Sequence, residues 1–132
     1  MKASAHRTAS EGWVHRIETR GHQLVADEPA EHGGEDRGPT PQELLAASLA
    51  ACTAITLEMY AKRKGWELGD VEVECEYEQA DRDSPTLFKL NLRLPSGLSE
   101  EQVERLDTIA AKCPVHRTLQ GDCSFEQRVE LV

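Results

Sequence analysis

PQELLAASLAACTAITLEMYAKRK, residues Pro41–Lys64, is the stretch around which the rest of this chain is organised. Both of its ends are marked as helix ends. Thr40 is suited to cap it, Pro41 to open the first turn, and Glu43, three residues after Thr40, to complete a capping box. Lys62, Arg63 and Lys64 place positive charge at the negative end of the helix dipole, and Gly65 follows where the helix should stop. At roughly 1.5 Å per residue such a helix runs about 36 Å.

Between Glu43 and Glu58 there is no charge, only leucines, alanines, Ile55, the hydroxyls of Ser48, Thr53 and Thr56, and Cys52 near the centre. A helix apolar on every side has to be surrounded by lipid or by protein. The uncharged run is shorter than the ~20 residues a membrane span needs, and its flanks are densely charged. Protein is therefore the expected surround. A chain of 132 residues can hardly enclose such a rod alone, so a second copy is expected to complete the cover as a homodimer.

Length predicts one domain over residues 1–132, with residues 1–11 as a loose polar lead-in. The net charge of −9, from 24 acidic residues against 15 Lys and Arg, comes without a basic stripe interleaved with aromatics, which argues against nucleic acid as a partner. The first thirteen residues lack the apolar core of a secretory signal, so the expected compartment is the cytoplasm, with no membrane partner.

Residues 13–17 and 23–26 are expected to pair as short strands across Arg20, Gly21 and His22. A Gly-, Pro- and acid-rich loop, residues 27–40, leads into the long helix, and a loop of that length is often functional. Beyond Gly65 the pattern alternates. Val71, Val73, Cys75 and Tyr77 share one face, with glutamates on the other; Phe88, Leu90, Leu92 and Leu94 form the returning strand of a hairpin. A second helix is predicted from a Ser99–Gln102 capping box, its apolar stripe ending at Cys113, where Pro114 must kink or restart it. A last strand is expected over residues 123–132. The predicted order is β-β-α-β-β-α-β, an α+β fold with antiparallel sheet packed on helices.

Four cysteines in a reducing compartment are expected to be thiols or redox groups rather than structural disulfides. Cys113 and His116 form a Cys-x-x-His without the second pair that a zinc site needs, so no metal is expected. Cys75 and Cys123 fall on inward strand faces and read as structural. Cys52 and Cys113 fall on apolar helix faces and have two readings. Each is a small buried hydrophobe, or the two form a redox pair in which oxidised Cys52 is attacked by Cys113. A turn opened by Pro114 would put Cys113 at its N-terminus, where the dipole lowers a thiol pKa.

GPTPQELLAASLAACTAITLEMYAKRKGW, residues 38–66, and IAAKCPVHRTL, residues 109–119, together resemble the osmotically induced protein C and organic hydroperoxide resistance family, in the redox-protein-like branch with Cys-Pro-Val-His. The resemblance implies an intertwined homodimer, antiparallel sheets wrapped around long central helices, and thiol peroxidase chemistry on organic hydroperoxides. It implies no bound cofactor. Cys52 takes the peroxidatic position and Cys113 the resolving one, forming a Cys52–Cys113 disulfide that a dithiol reductant, a lipoyl protein or a thioredoxin-like protein, resets. The resemblance implies an Arg and a Glu that hold the thiolate and the peroxide, the Glu falling ten residues before the cysteine in the hydroperoxide-resistance branch. That position here is Gln42, with Glu43 nine before, about 13.5 Å along one helix. Glu43 therefore either caps the helix, meets a Cys52 across the dimer, or does both. Arg20 is the first choice for the arginine, with Arg16 and Arg37 as rivals. His116 and Arg117 replace the small polar residue of the hydroperoxide-resistance branch, and His116 is a candidate for proton transfer at Cys113. The alternatives are a non-catalytic dimer binding a small apolar molecule, or a redox sensor of the same fold.

Overall fold

The computed structural model describes every residue of the chain except Ser10 and Ala80. Five strands and three α-helices follow in the order β1 (Ser4–Arg7), β2 (His15–Thr19), β3 (His22–Ala26), α1 (Pro41–Lys64), β4 (Glu72–Glu78), β5 (Leu87–Arg93), α2 (Glu100–Ala110) and α3 (Pro114–Gln120), with a short 3₁₀ turn at Ala30–His32. The α+β class predicted from the sequence is the one observed. Two compact units divide the chain, Met1–Ala47 with Tyr77–Leu87 and Ser48–Glu76 with Phe88–Val132.

In the first unit β1, β2 and β3 form an antiparallel sheet in that order. Thr19 pairs with His22, so Arg20 and Gly21 alone make the β2–β3 turn. Both have positive φ, 47° and 83°, the two-residue hairpin geometry that matches the twist of the strands. Gly21 adopts it freely, whereas a left-handed Arg20 carries about 1–2 kcal/mol of backbone strain. β1 lies inside the lead-in expected to be loose. It holds because its edge pairs with β2 from Ser4 opposite Glu18 to Arg7 opposite His15. Ala5, Trp13, His15, Ile17 and Ala26 line an apolar concavity of about 470 Å³ together with Asp27, Glu28 and Pro41.

Asp27 organises the loop of residues 28–39. It is 2% exposed, and its carboxylate accepts backbone N–H bonds from Glu28 at 2.8 Å and from Glu35 and Arg37 at 3.1 Å each. Burial alone would raise its pKa, but the three hydrogen bonds and the Arg37 charge outweigh it, so the carboxyl lies below its ordinary value. The loop closes tightly enough that a Cβ on Gly34 would run into the Glu28 backbone.

The predicted capping box opens α1: Thr40 N–H donates to Glu43 Oε1 at 3.0 Å, and Glu43 N–H to Thr40 Oγ1 at 3.1 Å. In the second unit Leu57, Tyr60 and Ala61 of α1 form a core with Leu68 and with Leu106, Ile109 and Ala110 of α2. α1 is buried along one stripe only, at Leu49, Thr53, Leu57, Tyr60 and Ala61, while Ile55 and Met59 stay more than half exposed. A window of α1 reaches a mean hydropathy of 1.5, so by length and composition this helix is able to cross a membrane. Leu57, Tyr60 and Ala61 of this helix pack as core with α2, and the rest of its apolar surface is largely uncovered within the chain. β4 and β5 alternate as predicted, with the glutamates of β4 outward and Arg93 of β5 bridging Glu72 and Glu74 at 3.0 Å each.

One predicted element is absent. Residues 123–132 form no strand, and Phe125, Val129 and Leu131 are 87%, 87% and 97% exposed. Alternation gives this segment an apolar face, but a strand also needs a neighbouring backbone, and none of the paired strands takes it up within the chain.

Candidate active site

The break between α2 and α3 creates the setting of Cys113. Ser99 and Gln102 close the predicted capping box of α2, with Ser99 N–H to Gln102 Oε1 at 2.9 Å and Gln102 N–H to Ser99 Oγ at 3.1 Å. Eleven residues later α2 ends, and Pro114 starts α3 as its first residue, where the missing N–H costs nothing. That makes Cys113 the N-cap. Its Sγ accepts the His116 N–H at 3.3 Å, the bond a serine or aspartate would make there.

Cys113 is fully buried, and all four cysteines are free thiols. The Cys52 side chain, from the middle of α1, lies within hydrogen-bond reach of Cys113 in the same chain. The two sulfurs have different surroundings. Burial pushes the Cys113 thiol up, but hydrogen bonding from Cys52 and from the His116 and Val115 N–H groups more than compensates, so its pKa falls below the ordinary value. At Cys52 burial wins. Its thiol is pushed up, with Cys113 adding to the rise, against smaller opposing bonds from Val115 N–H and the Thr56 hydroxyl. Thr53 has one hydroxyl proton, which goes to the Leu49 carbonyl at 2.9 Å. The donors that define Cys113 are therefore the backbone N–H groups and the Cys52 thiol.

The other candidates fall into place around this pair or apart from it. His116 belongs to it through its backbone N–H, while its Nδ1 is buried without a hydrogen-bond partner. Arg117 is exposed on α3, its N–H bonded to the Cys113 carbonyl at 3.0 Å. Arg20, Gln42 and Glu43 belong to the first unit. Arg20 reaches His22 Nε2 at 3.4 Å, and Glu43 is engaged in its capping box, which also lowers its pKa. Of the rival arginines, Arg16 pairs with Glu18 at 3.0 Å and Arg37 with Glu35 at 3.8 Å. Cys75 is half-buried on β4, its thiol pushed up by burial, and Cys123 is exposed with its Sγ 3.7 Å from the Thr118 carbonyl. Asp27 had no sequence signal of its own. It was one acid among several in an acid-rich loop.

The fold has counterparts among solved structures. The chain is similar to an organic hydroperoxide resistance protein OsmC from Legionella pneumophila, at 29% identity and TM-score 0.64, covering 91% of this chain and 88% of that one. It is also similar in fold to an OsmC like protein from Mycoplasma pneumoniae, at 22% identity and TM-score 0.73, covering 91% and 86%. A third is the organic hydroperoxide resistance protein OhrB of Bacillus subtilis, at 23% identity and TM-score 0.62, covering 92% and 90%. No curated protein matches. Residues 33–128 match the family model described as OsmC-like protein, and this chain belongs to that family.

Proposed function

We propose that this protein is a thiol-dependent peroxidase that reduces organic hydroperoxides to alcohols. One observation carries the reading: two free thiols, Cys52 and Cys113, stand within hydrogen-bond reach of each other in one chain. The likeness to organic hydroperoxide resistance proteins supplies the substrate class. Cys52, partly exposed, attacks the distal peroxide oxygen and becomes a sulfenic acid; Cys113 then condenses with it to a disulfide, releasing water. A dithiol reductant, lipoyl or thioredoxin-like, returns both thiols. Arg20 is proposed to orient the peroxide. Arg20→Ala is expected to slow the first step with the fold intact.

The working unit is proposed to be a homodimer in the cytoplasm. The half-covered α1, the apolar concavity of the first unit and the uncovered apolar face of residues 123–132 all call for a second surface. Light scattering should give twice the 14.7 kDa chain mass. Steady-state consumption of tert-butyl hydroperoxide with dihydrolipoamide tests the activity. Turnover supports the peroxidase. A disulfide that forms once without turnover favours a redox sensor, and intact thiols favour a small-molecule-binding dimer.

A further inference from the structure

The end of α1 brings three cations to one aromatic ring. Gly65, at φ 71°, closes the helix in a left-handed turn, its N–H donating to the Lys62 carbonyl at 3.2 Å and the Trp66 N–H to the Ala61 carbonyl at 2.9 Å. That closure occupies two of the last carbonyls, so Arg63 and Lys64 are not needed to cap them. It also sets Trp66 edge-on to Tyr60, 5.6 Å between centroids. Arg63 and Lys64 stand 5.9 and 5.7 Å from the centre of the buried Tyr60 ring, and Arg105, arriving from α2, stands at 5.7 Å. Arg105 Nε–H donates to the Tyr60 hydroxyl oxygen at 2.8 Å. All of these residues belong to the second unit.

In a chain of net charge −9 these cations stand without carboxylate partners. Glu101 precedes Arg105 by four residues, the spacing at which helix ion pairs form, yet no ion pair among the described residues involves Arg63, Lys64 or Arg105. Arg105 spends its Nε–H on Tyr60, and its terminal NH₂ groups donate to no group among the described residues. The Tyr60 hydroxyl accepts that bond and has its own proton to give. The hydrogen bond from Arg105, with the charges of Arg105, Lys64 and Arg63, holds this hydroxyl below its ordinary pKa against burial, which makes it a stronger donor. Tyr60, Lys64, Trp66, Glu101, Glu104 and Arg105 are among the residues lining a cleft of about 840 Å³, ample for a small organic molecule.

We propose that this cleft binds a small organic monocarboxylate with an apolar body, apart from the Cys52–Cys113 pair. Each part of such a ligand has a partner. The free edge of the Arg105 guanidinium is a planar fork that matches a carboxylate, Lys64 adds a second positive charge, and the Tyr60 O–H donates to the same oxygens. The half-buried Trp66 ring receives the apolar body. Glu101 and Glu104 set the charge the cleft accepts. Against the three cations they leave a surplus of one positive charge, which suits one carboxylate and disfavours a phosphate dianion. Tyr60 follows Cys52 by eight residues, about 12 Å along α1, so occupancy of the cleft does not require the thiols.

The test uses the full-length reduced protein and follows the ¹H–¹⁵N signals of Arg105 Nε–H and of the Trp66 indole N–H. Titration with sodium benzoate is expected to move both along one saturable curve. Benzamide, neutral and of the same shape, is expected to move neither, and inorganic phosphate to saturate only at higher concentration than benzoate. Read through Trp66, Arg105→Gln is expected to weaken benzoate about tenfold or more, and Lys64→Gln, at an exposed helix end, about threefold. Because Arg105→Gln also takes a hydrogen bond from a core tyrosine, Lys64→Gln decides the matter if that variant does not fold. No saturation by benzoate, equal shifts with benzamide, tighter binding of phosphate than of benzoate, or an affinity unchanged by either substitution would each overturn the proposal. A carboxylate of a second copy covering the cleft would show itself as the first of these outcomes.

Discussion

Asp27 and Cys113 solve the same problem with different materials. Each is a buried ionisable group whose charge is favoured by donors from the backbone that follows it, Glu28, Glu35 and Arg37 for the carboxylate, Val115 and His116 for the sulfur. The donors of Asp27 are all fixed in the chain, so the carboxylate serves as a structural anchor. One donor at Cys113, the Cys52 thiol, carries a proton that can leave. A buried anion becomes chemistry when part of its cage is itself reactive, and remains architecture when it is not.

The comparison breaks most visibly at the thiols. Cys52→Ser is expected to abolish hydroperoxide consumption, measured with dihydrolipoamide as reductant; retained turnover would remove the peroxidase reading. Next in size is Asp27→Asn. An amide keeps the shape but turns an NH₂ toward donors that need an acceptor, so the melting temperature should fall by about 5 °C or more in a calorimetric scan. An unchanged melting temperature would mean that the loop does not depend on the charge.

pH sharpens the contrast. The pKa of Asp27 is lowered from 3.8, so the stability it contributes is fully present above that value and is lost as pH falls through the folded pKa. Urea midpoints should therefore hold through mild acid and drop only below the ordinary carboxylate range, and Asp27→Asn should remove that drop. The lowered Cys113 pKa has the same sign at higher pH: its contribution grows as pH rises from the folded pKa toward the ordinary thiol value of 9.0. The smallest effects belong to the exposed caps Thr40 and Ser99, whose hydroxyl oxygens accept the Glu43 and Gln102 N–H groups. Replacing either by Ala is expected to cost about 1 kcal/mol by urea denaturation, because water takes over the freed N–H groups.

Local signals were legible where they were complete within a few residues. Thr40 with Glu43, Ser99 with Gln102 and Pro114 after Cys113 each carry their partner close by, and the structure has all three as read. The apolar spacing of α1 and α2 likewise pointed Cys52 and Cys113 inward. Asp27 was illegible because its partners lie up to ten residues away and donate through backbone, which any sequence provides. Strand β1 was missed because Ser-Ala-His-Arg has no apolar alternation, its stability coming from the β2 edge. Residues 123–132 failed in reverse: their alternation is real, but it marks a face without naming what pairs with it. Arg20 was found at its turn, though nothing in the sequence announces a left-handed arginine.

The two tryptophans give each unit its own optical signature. Trp13 belongs to the first unit, half-exposed, with the Arg7 guanidinium 5.7 Å from its ring centroid; Trp66 belongs to the second, edge-on to Tyr60 at 5.6 Å between centroids. Trp13→Phe leaves fluorescence that reports only on the α1–α2 core, and Trp66→Phe leaves one that reports only on the three-stranded sheet. Denaturation followed by each variant shows whether the chain melts as one cooperative body or as two.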